Sequence, residues 1–144
     1  MVENSGEVKG TDLGFTEEEA KTKLKILVVD DDENIREVLS DLLLLEGHEI
    51  LLAEDGEQAL LIFEENLPDV VITDLGMPGI SGWEVARRIK SKDPSKKVIV
   101  ISGWGATLQK DQLEENYVDQ VLPKPFHLEQ VKKIIAEVMS KTQE

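Results

Sequence analysis

Five short runs of β-branched and aliphatic residues alternate with longer amphipathic segments from residue 25 onward, and this alternation limits the possible folds most strongly. Repeats of this kind are typical of β-α-β units, in which helices join parallel strands and cover the sheet. The pattern therefore predicts an α/β domain with a doubly wound, five-stranded parallel sheet. The predicted strands are residues 25–29, 49–53, 70–74, 97–101 and 120–122.

The segments that follow the runs predict five helices. In the first and last segments, apolar residues recur at steps of three and four, which is the spacing of one helical face. Both faces are expected to pack on the sheet. Their residues are Ile35, Val38, Leu39, Leu42 and Leu43 in the first helix, and Leu128, Val131, Ile135 and Val138 in the last.

Polar pairs predict where the second and third helices begin. Asp55 and Gln58 have the spacing of a capping box, in which side chains satisfy free amides of the first turn. Ser81 and Glu84 repeat this spacing before the third helix. A fourth helix is expected within residues 106–116, although that segment has only two large apolar residues.

The size and charge of the chain restrict its domain count and its partners. Its 144 residues, 40% of them hydrophobic, suffice for one core, which we assign to residues 24–144, with residues 1–23 as a flexible tail or linker. The formal charge of −14 disfavours nucleic acid and anionic membranes as partners. Because no run approaches the roughly 20 apolar residues that span a bilayer, a cytoplasmic protein is expected. With no cysteine in the sequence, a metal would need oxygen or imidazole ligands.

Polar residues stand at the ends of four predicted strands. Asp30 and Asp31 follow the first strand, and Asp74 ends the third. Ser102 follows the fourth strand and Lys124 follows the fifth. Doubly wound sheets bind ligands at the carboxyl ends of their strands, where the strand order reverses. The strand order 2-1-3-4-5 brings all five side chains to that place, so we predict this order.

Three acids at one edge of a sheet need positive charge. Two carboxylates about 4 Å apart repel by roughly 4 kcal/mol at an effective dielectric constant near 20. A hard cation relieves this repulsion, and oxygen ligands around an open site suit Mg²⁺. Lys124 would add a fixed positive charge. Asp74, before the glycine-rich turn LGMPGISG whose backbone is expected to be accessible, is the candidate nucleophile toward phosphorus, and Ser102 would hydrogen-bond the new phosphoryl group.

Four segments together resemble the receiver domain of two-component response regulators, namely VVDDDENIR, ITDLGMPGISGWE, VIVISGWG and LPKPF. The resemblance implies a flavodoxin-like, CheY-like fold, and it makes Asp74 the phosphoacceptor. It also implies that Asp31 binds Mg²⁺ directly, that Asp30 assists directly or through water, and that Gly76 contributes its backbone carbonyl. Lys124 would contact the phosphoryl group, and the peptide bond that follows this lysine is often cis in such domains.

The same resemblance, which covers residues 25–139, implies a role in signalling. A sensor histidine kinase or a histidine phosphotransfer domain would donate the phosphoryl group, and phosphorylation would shift the conformations that bind a downstream protein. The protein would take part in its own phosphorylation and slow dephosphorylation without being a conventional enzyme. The cognate kinase and the output partner stay open, as does whether the chain is free-standing, a phosphorelay intermediate or part of a longer protein.

The sequence departs from the family pattern near the expected switch. Val121 stands where an aromatic residue usually precedes the lysine by three positions. We therefore expect Ser102 and the loop of residues 103–105 to carry the switch without an aromatic gate. Trp104, two residues beyond Ser102, is expected to restrict the access of water to the acyl phosphate.

Other functions remain possible on the sequence alone. A degenerate receiver would keep the fold and bind partners without phosphoryl transfer, although the complete set of acids, hydroxyl and lysine argues against it. A haloacid-dehalogenase-type phosphatase also uses an aspartate at a strand end, but it needs an acid where Gly76 stands. A flavodoxin-like electron carrier is disfavoured because DDDEN would repel a flavin phosphate.

Some polar and aromatic residues are better explained by structure than by chemistry. Asp32 is expected to cap the first helix. His48 and His127 lack metal-ligand spacing and are expected to be solvated. Leu44 lies off the apolar face of the first helix and is expected to be exposed. Trp83 is expected to be a partly buried anchor.

Overall fold

The computed structural model describes residues 23–103 and 117–140, and within these ranges the chain forms five strands and four helices. The strands lie where the sequence predicts them, and the last two are each one residue longer. The helix expected within residues 106–116, Trp104 and residues 1–22 of the expected tail lie outside the described residues. In chain order the elements are β1 (Lys25–Val29), α1 (Glu33–Leu45), β2 (Glu49–Ala53), α2 (Gly56–Asn66), β3 (Val70–Asp74), α3 (Gly82–Lys92), β4 (Lys97–Ser102), β5 (Gln120–Pro123) and α4 (Leu128–Ser140).

The five strands lie in one parallel sheet in the order β2-β1-β3-β4-β5, which confirms the predicted order. The chain passes from β1 to the edge strand β2, returns to β3 on the other side of β1, and then continues outward. The strand order thus reverses between β1 and β3, where a doubly wound sheet opens a crevice at its carboxyl edge. Val29 of β1 pairs with Thr73 of β3, so both strands end at the same level.

Helices cover both faces of the sheet, because alternate residues of each strand point to opposite sides. The middle strands are buried on both faces, which explains their continuous apolar runs. One face packs against α1 and α4, and the other packs against α2 and α3. The first face buries, among others, Ile26, Val28, Leu39, Leu43, Ile72, Ile99, Leu122 and Val138, and the second buries Leu27, Val29, Phe63, Val71, Val85, Ile89 and Val98.

Side-chain caps begin α1 and α2 at the predicted residues. Asp32 caps α1, because its carboxylate accepts a hydrogen bond from the N–H of Asn34 at 2.9 Å. Asp55 caps α2 by accepting from the N–H of Gln58 at 2.8 Å. The Gln58 side chain accepts from the N–H of Glu54 at 2.7 Å, one residue earlier than a standard capping box requires. Each cap contributes about 1 kcal/mol to helix stability.

The capping box predicted for α3 is only half formed. Ser81 Oγ accepts from the N–H of Glu84 at 3.3 Å, as expected. The Glu84 carboxylate accepts hydrogen bonds from Arg87 and Arg88 on the same helix instead, and these bonds lower the pKa of the Glu84 carboxyl to about 2. The first turn of α3 is therefore fixed by the serine, while the glutamate joins the exposed charges of the helix.

The apolar face of α1 is narrower than the sequence predicts. Leu39 and Leu43 are buried at its centre, but Val38 is 47% exposed. The expectation that Val38 packs on the sheet is therefore wrong. The residue instead lines a groove between α1 and the residues that follow β5. Leu44 is exposed, as expected.

The expectation that His48 is solvated is also wrong. Only 8% of its surface is exposed, and its Nδ1 accepts a hydrogen bond from the N–H of Leu24 at 3.1 Å. Burial lowers the pKa of the His48 imidazole, and the carboxylate of Glu46 partly opposes this shift. The neutral ring is thus the form that the fold favours.

In the part of the chain that the structure describes, no helix combines the length and the apolar character that crossing a bilayer requires.

Candidate functional site

Three carboxylates meet at the edge where the strand order reverses. Asp30 directly follows β1 and Asp74 ends β3, so the pairing of these strands places both side chains at one edge. Asp31 joins them from the loop before α1. One carboxylate oxygen from each acid lies within 4.8 Å of the other two. Asp30 and Asp74 are buried whereas Asp31 is exposed, so the cluster opens to solvent on one side.

Asp30 is held from several directions. Its N–H donates to the carbonyl of Ala53 at 3.2 Å, and Arg36 Nη1 donates to the carbonyl of Asp30 at 2.6 Å. Its Oδ1 accepts from the N–H of Asp32 at 2.9 Å. Its Oδ2 is buried and has no hydrogen-bond partner among the described residues. A buried carboxylate oxygen without a partner costs free energy, and a cation at this position would offset that cost.

Burial makes Asp30 harder to ionise than an ordinary aspartate. The pKa of the Asp30 carboxyl is raised from 3.8 to about 6, chiefly by burial and further by the negative charges of Asp74 and Asp31. The N–H of Asp32 and the ammonium of Lys124 lower the pKa but do not cancel the rise. The pocket therefore still favours an additional positive charge.

Lys124 brings its charge to the same edge from the end of β5. Its Nζ lies 3.7 Å from Asp30 Oδ2 and 3.8 Å from Asp74 Oδ1. The backbone N–H of Lys124 donates a hydrogen bond to the carbonyl of Ser102 at 2.9 Å, which connects the end of β5 to the end of β4. The peptide bond between Lys124 and Pro125 is cis. The ammonium is thus within ion-pair distance of two of the three acids.

Ser102 ends β4 at this edge, and Gly76 follows the end of β3. Ile101 of β4 pairs with Asp74, and Ser102 is the next residue toward the carboxyl end. Ser102 is partly exposed. Gly76 is exposed two residues after Asp74, in the loop before α3. The structure therefore brings the three acids together, with Lys124 within ion-pair distance of two of them, and it places Ser102 and Gly76 at the same edge of the sheet.

The sequence interpretation missed two residues that contact the backbone of the acids and misjudged a third. Arg36 belongs to a helix face that reads as polar, and its contact with Asp30 depends on the path of the loop. Thr73 Oγ1 donates to the carbonyl of Asp74 at 3.1 Å, although the sequence marks it only as a strand residue. Gly82 is buried against the same carbonyl, so the expectation that its backbone is open to a ligand is wrong.

The donor atoms of the pocket fit a hard divalent cation. All three acids supply oxygen, the ligand that Mg²⁺ prefers in proteins. The exposed side at Asp31 leaves room for water or a phosphoryl oxygen, which Mg²⁺ commonly keeps as ligands. The Oδ2 of Asp30 has no hydrogen-bond partner among the described residues and only a long ion pair with Lys124, which is an independent sign that the protein alone does not satisfy the pocket. Fold and site together define an α/β domain with an acidic pocket and a lysine at its topological switch point.

Comparison with known proteins identifies the family. The family model of the response regulator receiver domain matches residues 26–136, and the chain belongs to this family. It is 34% identical over 122 residues to the probable transcriptional regulator ycf27 of Guillardia theta, covering 85% of this chain and 48% of that protein. It is 35% identical over 108 residues to the virulence transcriptional regulatory protein PhoP of Salmonella typhimurium. This match covers 75% of this chain and 48% of PhoP. The chain spans about half the length of the curated relatives it matches.

Solved structures agree with this assignment. A response regulator receiver domain protein from Clostridium thermocellum has a TM-score of 0.76 and 33% identity, covering 83% of this chain and 96% of that one. The chemotaxis response regulator CheY4 of Vibrio cholerae has a TM-score of 0.74 and 28% identity, and the match covers 81% of this chain and 99% of CheY4. The predicted CheY-like fold is confirmed. The chain is a receiver domain of two-component signal transduction, a family whose members interact with histidine kinases and generally bind Mg²⁺ through acidic residues.

Proposed function

We propose that Asp74 accepts a phosphoryl group from a phosphohistidine on a sensor histidine kinase or a histidine phosphotransfer domain. The observation that carries this proposal is the pairing of Asp74 with Lys124, whose ammonium lies 3.8 Å from the carboxylate inside the acidic cluster. Lys124 contacts Asp30 as well, but Asp30 is 0% exposed while Asp74 is 9% exposed. Of the two acids beside the lysine, Asp74 is therefore the one that an incoming phosphorus atom can reach.

The acids around Asp74 would hold Mg²⁺. In this proposal Asp30, Asp31 and Asp74 supply carboxylate oxygens, and Gly76 supplies its backbone carbonyl. Gly76 is exposed in the loop before α3, which supports this role. When bound, the ion would neutralise charge on the phosphoryl oxygens.

The protein's own residues would position the reactants and neutralise charge. An oxygen of Asp74 forms a bond to phosphorus while the bond between phosphorus and the donor histidine nitrogen breaks, and that nitrogen keeps the electron pair. Lys124 holds positive charge beside the attacking oxygen and the phosphoryl oxygens. The hydroxyl of Ser102 donates a hydrogen bond to a phosphoryl oxygen of the product. The transfer is therefore a self-modification of one aspartate.

A groove beside the pocket is a suitable surface for the phosphoryl donor. Its volume is about 400 Å³, and it is lined by Ile35 and Val38 of α1 and by Lys124, Pro125 and Phe126 after β5. The groove and the acidic pocket share Lys124. A mostly apolar groove that ends at the phosphoacceptor suits an amphipathic helix of the donor, so we propose that such a helix binds here. In this proposal the exposed side chain of Val38 contacts the helix of the donor.

The remaining assignments stay predictions from the sequence. They are the single domain of residues 24–144, the cytoplasmic location, and the lack of nucleic acid and membrane partners. Two relatives are named as transcriptional regulators, and the matched region is about half of each. The formal charge of −14 argues against nucleic acid as a partner of the receiver itself, so we propose a protein or a protein domain as the output partner.

Intact mass after incubation with acetyl phosphate tests the phosphoacceptor. We expect the parent to gain one phosphoryl group with Mg²⁺ and none after chelation, and we expect Asp74→Ala to stay unmodified. Asp41→Ala, which removes an exposed acid of α1, is the matched control and should behave as the parent. An unmodified parent would favour the degenerate receiver, whereas a phosphorylated Asp74→Ala variant would place the acceptor elsewhere. Steady release of phosphate from a phosphomonoester would favour the phosphatase.

A further inference from the structure

We propose that Gly82, the first residue of α3, is a positioning residue for Asp74. This inference rests on the proposed role of Asp74 as phosphoacceptor. A Cβ atom built on Gly82 would lie 2.2 Å from the carbonyl oxygen of Asp74, and 3.0 Å from its carbonyl carbon and from Leu75 Cα. Cβ atoms essentially never approach other heavy atoms closer than 3.0 Å, so position 82 accommodates only glycine in this arrangement.

The surroundings of this contact leave the backbone little room to move. The carbonyl of Asp74 also accepts a hydrogen bond from Thr73 Oγ1 at 3.1 Å. The N–H of Gly82 donates to the carbonyl of Leu75 at 3.2 Å, and the N–H of Leu75 donates to the carbonyl of Ile101 at 3.4 Å. The start of α3 thus sits directly on the end of β3, and the missing side chain of Gly82 permits this approach.

A side chain at position 82 would displace the reacting group. To relieve the clash, the distance to the Asp74 carbonyl oxygen would have to grow from 2.2 Å to beyond 3.0 Å, a shift of about 0.8 Å. The carboxylate belongs to the same residue and lies 3.8 Å from Lys124. Displacements of about 1 Å at reacting groups can lower rates about 100-fold. Gly82 therefore controls where the phosphoacceptor stands relative to the lysine and the other acids.

Other glycines of the chain differ in what an added Cβ atom would meet. At Gly56 it would lie 2.8 Å from Ile80 Cβ, and at Gly76 it would have nothing within 4 Å. Gly47 has a φ of 90° and also has open space around its Cβ position. Alanine at Gly47 would therefore strain the backbone without touching the acidic pocket, which makes it the matched control.

The test compares Gly82→Ala with Gly47→Ala and the parent. Urea unfolding gives the folded fraction, intact mass gives the rate of modification by acetyl phosphate per folded molecule, and calorimetry gives the Kd for Mg²⁺. Both variants should unfold at lower urea concentrations than the parent. Only Gly82→Ala should lose about 100-fold in rate per folded molecule, and its Kd for Mg²⁺ should rise about 10- to 100-fold.

The outcomes separate positioning from stability. If folded Gly82→Ala reacts at the parent rate and binds Mg²⁺ with the parent Kd, Gly82 is merely structural and the proposal is wrong. If alanine at position 82 prevents folding, the same measurements are made with Leu67→Gly added, because Leu67 is exposed and has a φ of 50° that glycine adopts without strain. If the parent takes up no phosphoryl group but Gly82→Ala still weakens Mg²⁺ binding, the phosphoacceptor role fails while the positioning of Asp74 by Gly82 stands.

Discussion

Replacing Asp30 by asparagine should stabilise the metal-free protein. Burial raises the pKa of Asp30 from 3.8 to about 6, and each pKa unit corresponds to about 1.36 kcal/mol. Keeping this carboxylate charged in the folded state at pH 7.5 therefore costs about 3 kcal/mol. Asparagine keeps an acceptor for the N–H of Asp32 and removes the charge. Its amide N–H groups face Lys124 and reduce the gain by about 1 kcal/mol, so we expect the free energy of unfolding to rise by about 2 kcal/mol.

The pH dependence follows from the direction of the shift. Because the folded pKa of Asp30 is raised, the folded protein binds a proton more tightly than the unfolded chain between about pH 3.8 and pH 6. The contribution of Asp30 to stability therefore falls as the pH rises through this window. Urea unfolding of the parent and of Asp30→Asn should show the full advantage of the variant above pH 6, and this advantage should be lost below about pH 4.

Mg²⁺ and a neighbouring acid provide the controls for this prediction. Mg²⁺ at about 100 times its Kd should stabilise the parent by about 2.7 kcal/mol and Asp30→Asn by much less, so the advantage of the variant should disappear. Asp31→Asn makes the same charge change at an exposed position and should alter the metal-free stability by less than about 0.5 kcal/mol. Equal stabilisation by both variants would mean that net charge and not burial is the cause. No stabilisation by Asp30→Asn would refute the reasoning.

Two further predictions concern residues outside the pocket. Leu67 caps the end of α2 with a φ of 50° and is 59% exposed. Leu67→Gly should therefore relieve backbone strain and lose little buried apolar surface. We expect the free energy of unfolding, measured in urea melts, to rise by about 1 kcal/mol. Unchanged or lower stability would contradict the assigned strain. His48 has a lowered pKa in the folded state, so below its ordinary value of 6.5 the unfolded chain binds the proton more tightly. The contribution of His48 to stability should therefore fall as the pH falls. His48→Asn should reduce this loss, whereas the exposed control His127→Asn should keep it; equal pH profiles for both variants would refute the role of His48.

The strands were predictable because the apolar pattern of each strand reflects how it is buried. A central strand of a parallel sheet is covered on both faces, so the runs of β1, β3 and β4 had to be continuously apolar. The errors come from contacts that local patterns do not contain. Periodicity shows which side of α1 is apolar, but it does not show that Val38 faces a groove beside the residues that follow β5 and stays exposed there. His48 is buried by its contact with Leu24, which lies 24 residues away in the chain.

The grouping of the acids was predictable for a topological reason, whereas their individual properties were not. The order of parallel strands alone brings Asp30 and Asp74 to one edge. It does not distinguish Asp30 from Asp31, which are neighbours in the chain and yet differ completely in burial. That difference arises because Asp30 continues the direction of β1, bonded to Ala53, while the chain turns away at Asp31. The raised pKa and the unpartnered oxygen both depend on this turn.

The glycine-rich turn after β3 illustrates what the sequence alone leaves undecided. Gly76, Gly79 and Gly82 look equivalent, and all three suggest backbone that is open to a ligand. In the structure, Gly79 has a φ of 79°, which other residues rarely adopt, while Gly76 has free space where a side chain would stand. Gly82 alone has no room, because the backbone of Asp74 occupies that space. Alanine should thus strain the turn at position 79, be sterically tolerated at 76, and move the phosphoacceptor at 82.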